Sequence, residues 1–436
     1  MRWIFLMAIP GILFAQSYSK IIEDIDNAPA LKSAHSLEMA AKSNEAAAKG
    51  KNLPSLDLSF SGAWLKDTPT VTFRIPGTPP MEAPMGTKRN FIGSLRLAFP
   101  IFTGYAISAS VDKALFERKK AELKVLDLKR NLYLQATALV SGCYAADKKI
   151  EALESAKRAM EDAYKKAKGL YDNGLLPPSD LYNIEAKRYA VDAEITDTIS
   201  QKEQLLNTLG YLLDKPIESV ELPLHHMTAA LPVTREELIK TALDSREDIE
   251  ALKSAINADR AVEKLAKSRL YPTVGLAAEL KRRGDTPELN GDGFTNPDQS
   301  YVGAAATWNL FNGFADKKMI EAARYKRLAS QIALNDYKNR VKMELQNAFS
   351  YLAALLSRLK SAKMELKARK AYCDLTRGRF ENQLAGADEL SRSIADLSAA
   401  AAKVSGLQSQ IFNQKAKIWL MTGLKPFLSR FLRTSD

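Results

Sequence analysis

The chain has 436 residues, with 63 Lys and Arg against 51 Asp and Glu, a net charge of +12, and two cysteines. The basic excess is spread over helix faces with acidic residues interleaved, as in Lys119, Lys120, Glu122, Lys124 and Asp127. With no basic cluster and no aromatic platforms, a nucleic-acid partner is excluded. Cys143 and Cys373 fall on separate predicted helices, so they read as isolated packing thiols and not as a disulfide framework.

The N-terminus has the pattern of a secretory signal: Arg2, an apolar run from Trp3 to Ala15 interrupted by Pro10 and Gly11, and a cleavage point after Ala15. That run is too short to span a membrane as a helix, and no later apolar stretch is long enough. No cysteine follows it, so no lipid is expected on the new N-terminus. Positions 21 to 52 predict mostly helix, with an early break at Pro29 and a stop at Pro54. From 55 to 66 the pattern switches to period two, with Leu56, Leu58, Phe60 and Trp64 opposed by Ser55, Asp57, Ser59 and Ser61. A loop with five prolines follows, from Asp67 to Lys88, and alternation resumes from Arg89 to Phe102.

From Gly104 to Asp172 the chain has no proline and carries a seven-residue apolar repeat: Val125, Leu128, Leu132, Gln135, Leu139, Gly142, Ala146, Lys149, Leu153, Ala156, Met160, Ala163, Ala167 and Leu170. A seam this long is a coiled-coil signal, and a helix of this length runs roughly 100 Å. An elongated unit is therefore expected rather than two or three compact domains. Asp172-Asn173-Gly174 and Pro177-Pro178 end it, Ser179 is a candidate N-cap, and a second helix is predicted from 179 to about 213. A connector with Pro216, Pro223 and Pro232 leads to a helix at about 239.

The chain then repeats itself. Ile21, Ile25, Leu31 and Pro54 match Ile239, Leu243, Ile249 and Pro272 at an offset of 218. After two further strands, Thr273 onward and Tyr301 to Phe311, the offset becomes 209, pairing Phe102 with Phe311, Asn173 with Asn382 and Leu181 with Leu390. Such a register signals duplication. It divides the chain into a signal segment (1–15), a first repeat (16–214), a connector (215–238), a second repeat (239–424) and a C-terminal tail (425–436). The expected class is α+β and mostly helical, a wall of long antiparallel coiled-coil helices with four strands per chain. Strands of 11 to 14 residues can cross a bilayer, which needs about 9 to 11. Four cannot close a barrel, so copies must pool them. Two copies give a filled eight-stranded barrel and three an open twelve-stranded one; a ring of twelve helices spaced about 10 Å apart leaves a bore of roughly 25 to 30 Å.

These residues resemble the TolC-type outer-membrane efflux protein family over essentially the whole mature chain. The carrying features are the duplication, Leu53-Pro54-Ser55-Leu56 entering the first strand, Phe99-Pro100-Ile101-Phe102-Thr103-Gly104 and Trp308-Asn309-Leu310-Phe311-Asn312-Gly313 leaving each strand pair, and the turns at Tyr171 to Asn183 and Phe380 to Leu390. The resemblance implies a homotrimer with a twelve-stranded transmembrane β-barrel in the outer membrane and a periplasmic α-barrel. It also implies a passive export conduit that meets a periplasmic membrane-fusion adaptor and an inner-membrane transporter, of an efflux pump or a type I secretion system. The implied docking turns are Asn173, Gly174, Leu175 and Leu176 with Asn382, Gln383 and Leu384, their leucines exposed. Gln383 stands where the family usually has glycine. The implied entrance is Ser179 and Asp180 with Glu389 and Arg392; the family often has a second acidic residue at the last of these. Arg392 is expected to pair with Glu389 or Asp180.

No catalytic constellation is present, so neither an enzyme nor a cofactor is expected. His35 is on a helix, while His225 and His226 lie in the connector without metal-ligand spacing. Asn290-Gly291-Asp292-Gly293 with Asp285 and Asp298 lacks the ordered spacing of a calcium loop and reads as an external turn. Trp64, Phe91 and Trp308 read as girdle or strand-end residues. A structural periplasmic adaptor or envelope spacer would explain the helices but leaves four amphipathic strands without purpose.

Overall fold

The structure is a computed structural model and describes residues 16–222, 231 and 233–432. The signal segment and His225 and His226 lie outside the described residues. The described residues fall into two compact units, one built from those within 16–37, 122–251 and 334–432, the other from 38–121 and 252–333.

Chain order begins with β1 (Gln16–Ser17), α1 (Tyr18–Asp24), a 3-10 turn (Ile25–Asn27) and α2 (Pro29–Gly50). The break expected at Pro29 is there. Four strands, β2 (Ser55–Trp64), β3 (Thr70–Phe73), β4 (Met81–Pro84) and β5 (Arg89–Phe102), precede α3 (Ala106–Asp172) and α4 (Pro178–Leu213). Then come β6 (Val220–Glu221), α5 (Arg235–Ser245), α6 (Glu247–Lys267), β7 (Thr273–Gly284), β8 (Tyr301–Thr307), α7 (Ala315–Glu381), α8 (Ala387–Met421) and α9 (Leu424–Pro426), which runs into a π turn at Phe427–Phe431. No described helix is long and apolar enough to cross a membrane.

Several expectations need correction. The helix predicted from about 239 is broken at Arg246, whose backbone is extended. Arg246 sits 218 residues after Ala28, the break in the first repeat, so the two kinks are equivalent positions. The first is held by proline; the second is held by side chains, since the Arg246 guanidinium donates to Asp248 at 2.5 and 3.0 Å and to the Met421 carbonyl at 3.3 Å. Beside it, Glu247 accepts the Leu424 N–H at 2.8 Å, and burial pushes its carboxyl above the ordinary range. Ser179 does not cap α4. Pro177 is the cap residue and Pro178 opens the helix, where its fixed φ fits and its missing N–H leaves nothing unpaired. The proline-rich loop contains the β3–β4 hairpin. Leu424–Pro426 and Phe427–Phe431 pack as helical turns, with Phe427 and Phe431 buried and Phe427 beside Tyr133.

The seam on α3 is continuous in its later part and interrupted in its earlier one. Leu153, Ala156, Met160, Ala163 and Ala167 are buried, in a cluster with Ile184, Phe380, Leu390 and Ile394. Earlier in the helix the seam residues Val125 and Leu132 are buried, but so are Tyr133, Ala136, Thr137 and Val140 off the seam, while Gln135 is exposed. A strict seven-residue repeat drifts about 20° per heptad around a straight helix. The residues left aside, Leu128, Gln135 and Leu139, line an apolar cleft of about 640 Å³ with Pro29 and Leu212.

The main sheet is antiparallel throughout, in the order β2-β5-β7-β8, so the strand pairs of the two repeats meet at β5 and β7. β8 is shorter than the strand expected to reach Phe311. Its last pair is Thr307 with Thr273, and the next residue on the partner side, Pro272, has no N–H to continue the ladder. Away from the helices the pairing continues irregularly, the Gln299 N–H bonding the Lys281 carbonyl at 2.8 Å.

Candidate functional site

Two surfaces carry unusual chemistry: the tips where each long helix turns back, and the two faces of the sheet. The tips are built alike. Asn173 and Asn382 each turn a side-chain amide back onto the carbonyl four residues earlier, at 2.7 and 2.8 Å. The next residue, Gly174 or Gln383, takes a left-handed conformation with φ of 71° or 59°. The residue after that, Leu175 or Leu384, bonds the carbonyl five back, Leu170 or Arg379, at 2.8 and 2.7 Å. This closes the last turn of each helix as a Schellman motif. Glycine adopts that conformation freely, whereas Gln383 carries a strain on the order of 1 kcal/mol. The geometry presents Leu175 and Leu384 to solvent, 60% and 68% exposed. Leu176, expected to be exposed too, is half-buried against the helical cluster and helps hold α4 in place.

Electrostatics behind the tips differ from expectation. Arg392 pairs with Asp388, one helical turn earlier, at 2.6 Å, and not with Glu389 or Asp180. Asp388 is the hub: its other oxygen accepts Lys187 Nζ at 2.5 Å and Asn183 Nδ2 at 3.2 Å, and Lys187 also reaches Ser391 Oγ at 2.9 Å. These bonds run from α4 to α8, so they tie the two short helices together. Lys187, then the remaining partners, hold the Asp388 carboxyl below the ordinary carboxylate value against the opposing effect of burial. Glu389 is used elsewhere, accepting from Arg379 and from the Tyr372 hydroxyl, each at 3.2 Å, which fastens α8 to α7. Lys166 pairs with Glu381, joining α3 to α7. Ser179 and Asp180 lie in the first turn of α4, and Asp180 forms no ion pair among the described residues. Lys187 and Asp388 are the functional candidates that sequence reading missed, because their contact joins two different helices.

On the sheet, strand register sorts the side chains. One face carries Leu56 opposite Leu97, Leu58 opposite Leu95, Leu95 opposite Leu280 and Phe99 opposite Leu276. The other carries Ser59 opposite Ser94, their hydroxyls 2.9 Å apart, and the row Asp57, Arg96, Glu279. Leu58, in the middle of the apolar face, is 82% exposed. Edge strands β2 and β8 each have one side unpaired. An open sheet with an exposed apolar face has not satisfied its surface within one chain.

Nothing on either surface resembles a metal or reaction centre. No cluster of His, Cys, Asp or Glu among the described residues could hold an ion. In the external turn, Asp292 is engaged by the Phe294 and Thr295 N–H groups at 3.0 and 2.9 Å and by Arg283 at 3.2 Å, so its oxygens are already occupied.

Comparison with known proteins follows the same lines. The family model described as outer membrane efflux protein matches residues 22–213 and 238–424. No curated protein matches the chain. Among solved structures, the outer membrane protein VceC from Vibrio cholerae superposes with a TM-score of 0.75 at 18% identity, covering 93% of this chain and 96% of that one. The CmeC outer membrane channel of Campylobacter jejuni gives 0.74 at 13% identity over 96% of this chain and 89% of its own. The open-state MtrE outer membrane channel of Neisseria gonorrhoeae gives 0.72 at 16% over 93% and 89%. At such identities the likeness is one of fold.

Proposed function

The chain belongs to the outer membrane efflux protein family, and on that footing we propose that three copies assemble into a passive export conduit, each lending its four strands to one twelve-stranded barrel. Family membership makes it an outer-membrane efflux channel and a transport protein, in a family that is not one of enzymes. The open four-stranded sheet carries the further step. Lipid can cover its apolar face, but lipid cannot satisfy the unpaired edges of β2 and β8, so those edges must pair with other copies. The apolar cleft beside Leu128, Leu139 and Leu212 offers a second surface that a neighbouring chain would fill.

The helices then form the periplasmic tunnel. Exposed Leu175 and Leu384, with Asn173, Gly174, Leu176, Asn382 and Gln383 shaping the turns, form the contact for a periplasmic adaptor that joins the channel to an inner-membrane transporter. Ser179, Asp180, Glu389 and Arg392 surround the entrance. The Lys187–Asp388 tie between α4 and α8 holds that entrance narrow. Extraction separates this reading from a periplasmic spacer. The channel requires detergent and runs as a heat-modifiable oligomer that conducts in planar bilayers; a protein released in soluble form by opening the envelope would overturn the proposal.

A further inference from the structure

We infer that the border of the sheet's apolar face remote from the helices, together with the β3–β4 hairpin beyond it, docks phosphate-bearing lipid headgroups of the outer leaflet. The inference rests on the reading of the sheet as membrane-spanning. Strand register sets out the face row by row, moving away from the helices: Leu58 with Leu95 and Leu280, then Phe60 with Gly93 and Arg282, then Gly62 with Phe91 and Gly284, then Trp64 with Arg89. The face is aliphatic at first, then aromatic, then cationic. The aromatic layer is built and fixed: the Phe91 ring stacks on Phe60 at 6.3 Å and meets the edge of Trp64 at 5.4 Å. A Cβ at Gly62 would come within 2.8 Å of the Phe91 ring, so glycine is needed for the ring to lie flat there.

The cations follow directly. Arg89 is the cross-strand neighbour of Trp64 on this face. The Leu65 N–H bonds the Lys88 carbonyl at 2.7 Å, carrying the ladder one residue further, and Lys66 follows in the bend at its end. Arg89 and Lys66 are exposed and form no ion pair among the described residues. Arg282 has one long exposed contact, to Asp298 at 3.5 Å. Over the hairpin, Val71 pairs with Ala83 and Phe73 with Met81, giving it an apolar side, while residues 66–89 hold Lys66, Arg74, Lys88 and Arg89 against Asp67 and Glu82. An apolar side bordered by cations suits the headgroup layer of a membrane. Because Arg89 continues a face that lipid covers and Lys66 lies at the end of the same strand pair, an anion reaching them comes from within the membrane plane. Arginine offers a phosphate two parallel N–H donors, which is the match expected for a phosphorylated headgroup.

The test uses the assembled, detergent-purified full-length protein and native mass spectrometry of lipid adducts, with a diphosphorylated glucosamine lipid, its dephosphorylated counterpart and inorganic phosphate as probes. Wild type binds the diphosphorylated lipid at least tenfold more tightly than the dephosphorylated one. The Lys66→Gln/Arg89→Gln double variant loses that preference, while Lys88→Gln/Lys281→Gln, which removes the same charge from the opposite face, keeps it. Equal binding by wild type and the first double variant overturns the inference, as does an equal loss in the second. Displacement of the lipid by inorganic phosphate at equal concentration also overturns it, by showing an anion site with no use for the lipid. Insertion of wild type into lipid vesicles is measured in parallel: failure there sinks the membrane reading itself, whereas normal insertion with unselective binding sinks this inference alone.

Discussion

Placing arginine at Leu58 asks the most of the sheet's two-faced character. Leu58 pairs with Leu95, the seventh of the fourteen residues of β5, and Leu95 pairs in turn with Leu280. At about 3.4 Å per residue and a tilt of about 45°, β5 rises about 30 Å, the thickness of a hydrocarbon core, so in the proposed barrel Leu58 lies close to the midplane. Arginine on the lipid side at that depth costs about 2 to 4 kcal/mol per chain, or about 6 to 12 for a barrel of three. The neighbouring Ser59 points to the other face, where its hydroxyl meets Ser94 at 2.9 Å. Ser59→Arg forfeits that exposed bond, about 1 kcal/mol at most, and leaves the new charge in water. Urea unfolding in phosphatidylcholine vesicles, scored by the heat-modifiable oligomer remaining, should therefore show a large loss for Leu58→Arg and a small one for Ser59→Arg. Equal losses, or a larger loss at Ser59, would refute the assignment of the faces.

The tips give three more expectations. Lys187→Met removes the ion pair from α4 to Asp388 and should lengthen open times in planar bilayers, whereas Arg392→Glu, which alters an ion pair within α8, should do so less; the reverse order would show that the tie is misplaced. Leu175→Glu with Leu384→Glu should abolish export while leaving oligomer and membrane insertion normal, and retained export would remove the docking role. Acid should act late. Asp388 titrates below its ordinary value of 3.8, so its contribution is complete above that value and is lost only as the pH falls through the lowered one. Open times should stay constant from pH 7 to 5, and a rise within that range would assign gating to another group.

Most of the fold was legible because period-two and seven-residue patterns report directly on faces, and because each element appears twice. The first long helix, expected from Gly104 to Asp172, was predicted to within two residues. What sequence reading missed came from outside the element concerned. The kink at Arg246 has no proline to mark it and is held by Asp248 and the Met421 carbonyl; its one sequence trace was the equivalence with Ala28. β8 stopped short because its partner strand begins after a proline. At the tips, backbone geometry was readable from Asn173-Gly174 and its counterpart. The partner of Arg392 was not, since Asp388 and Glu389 both lie about one turn away and rotamer preference and neighbouring helices decide between them. Lys187 belongs to another helix altogether, and its role exists only after packing.

Pooling of strands by three copies is the central claim, and the mass of the detergent-solubilised, channel-active protein tests it most directly. Native mass spectrometry of that fraction should give three chains and no folded monomer, and heating should convert this species to single chains with loss of conductance. A stable folded monomer, or a dimer with full channel activity, would contradict it.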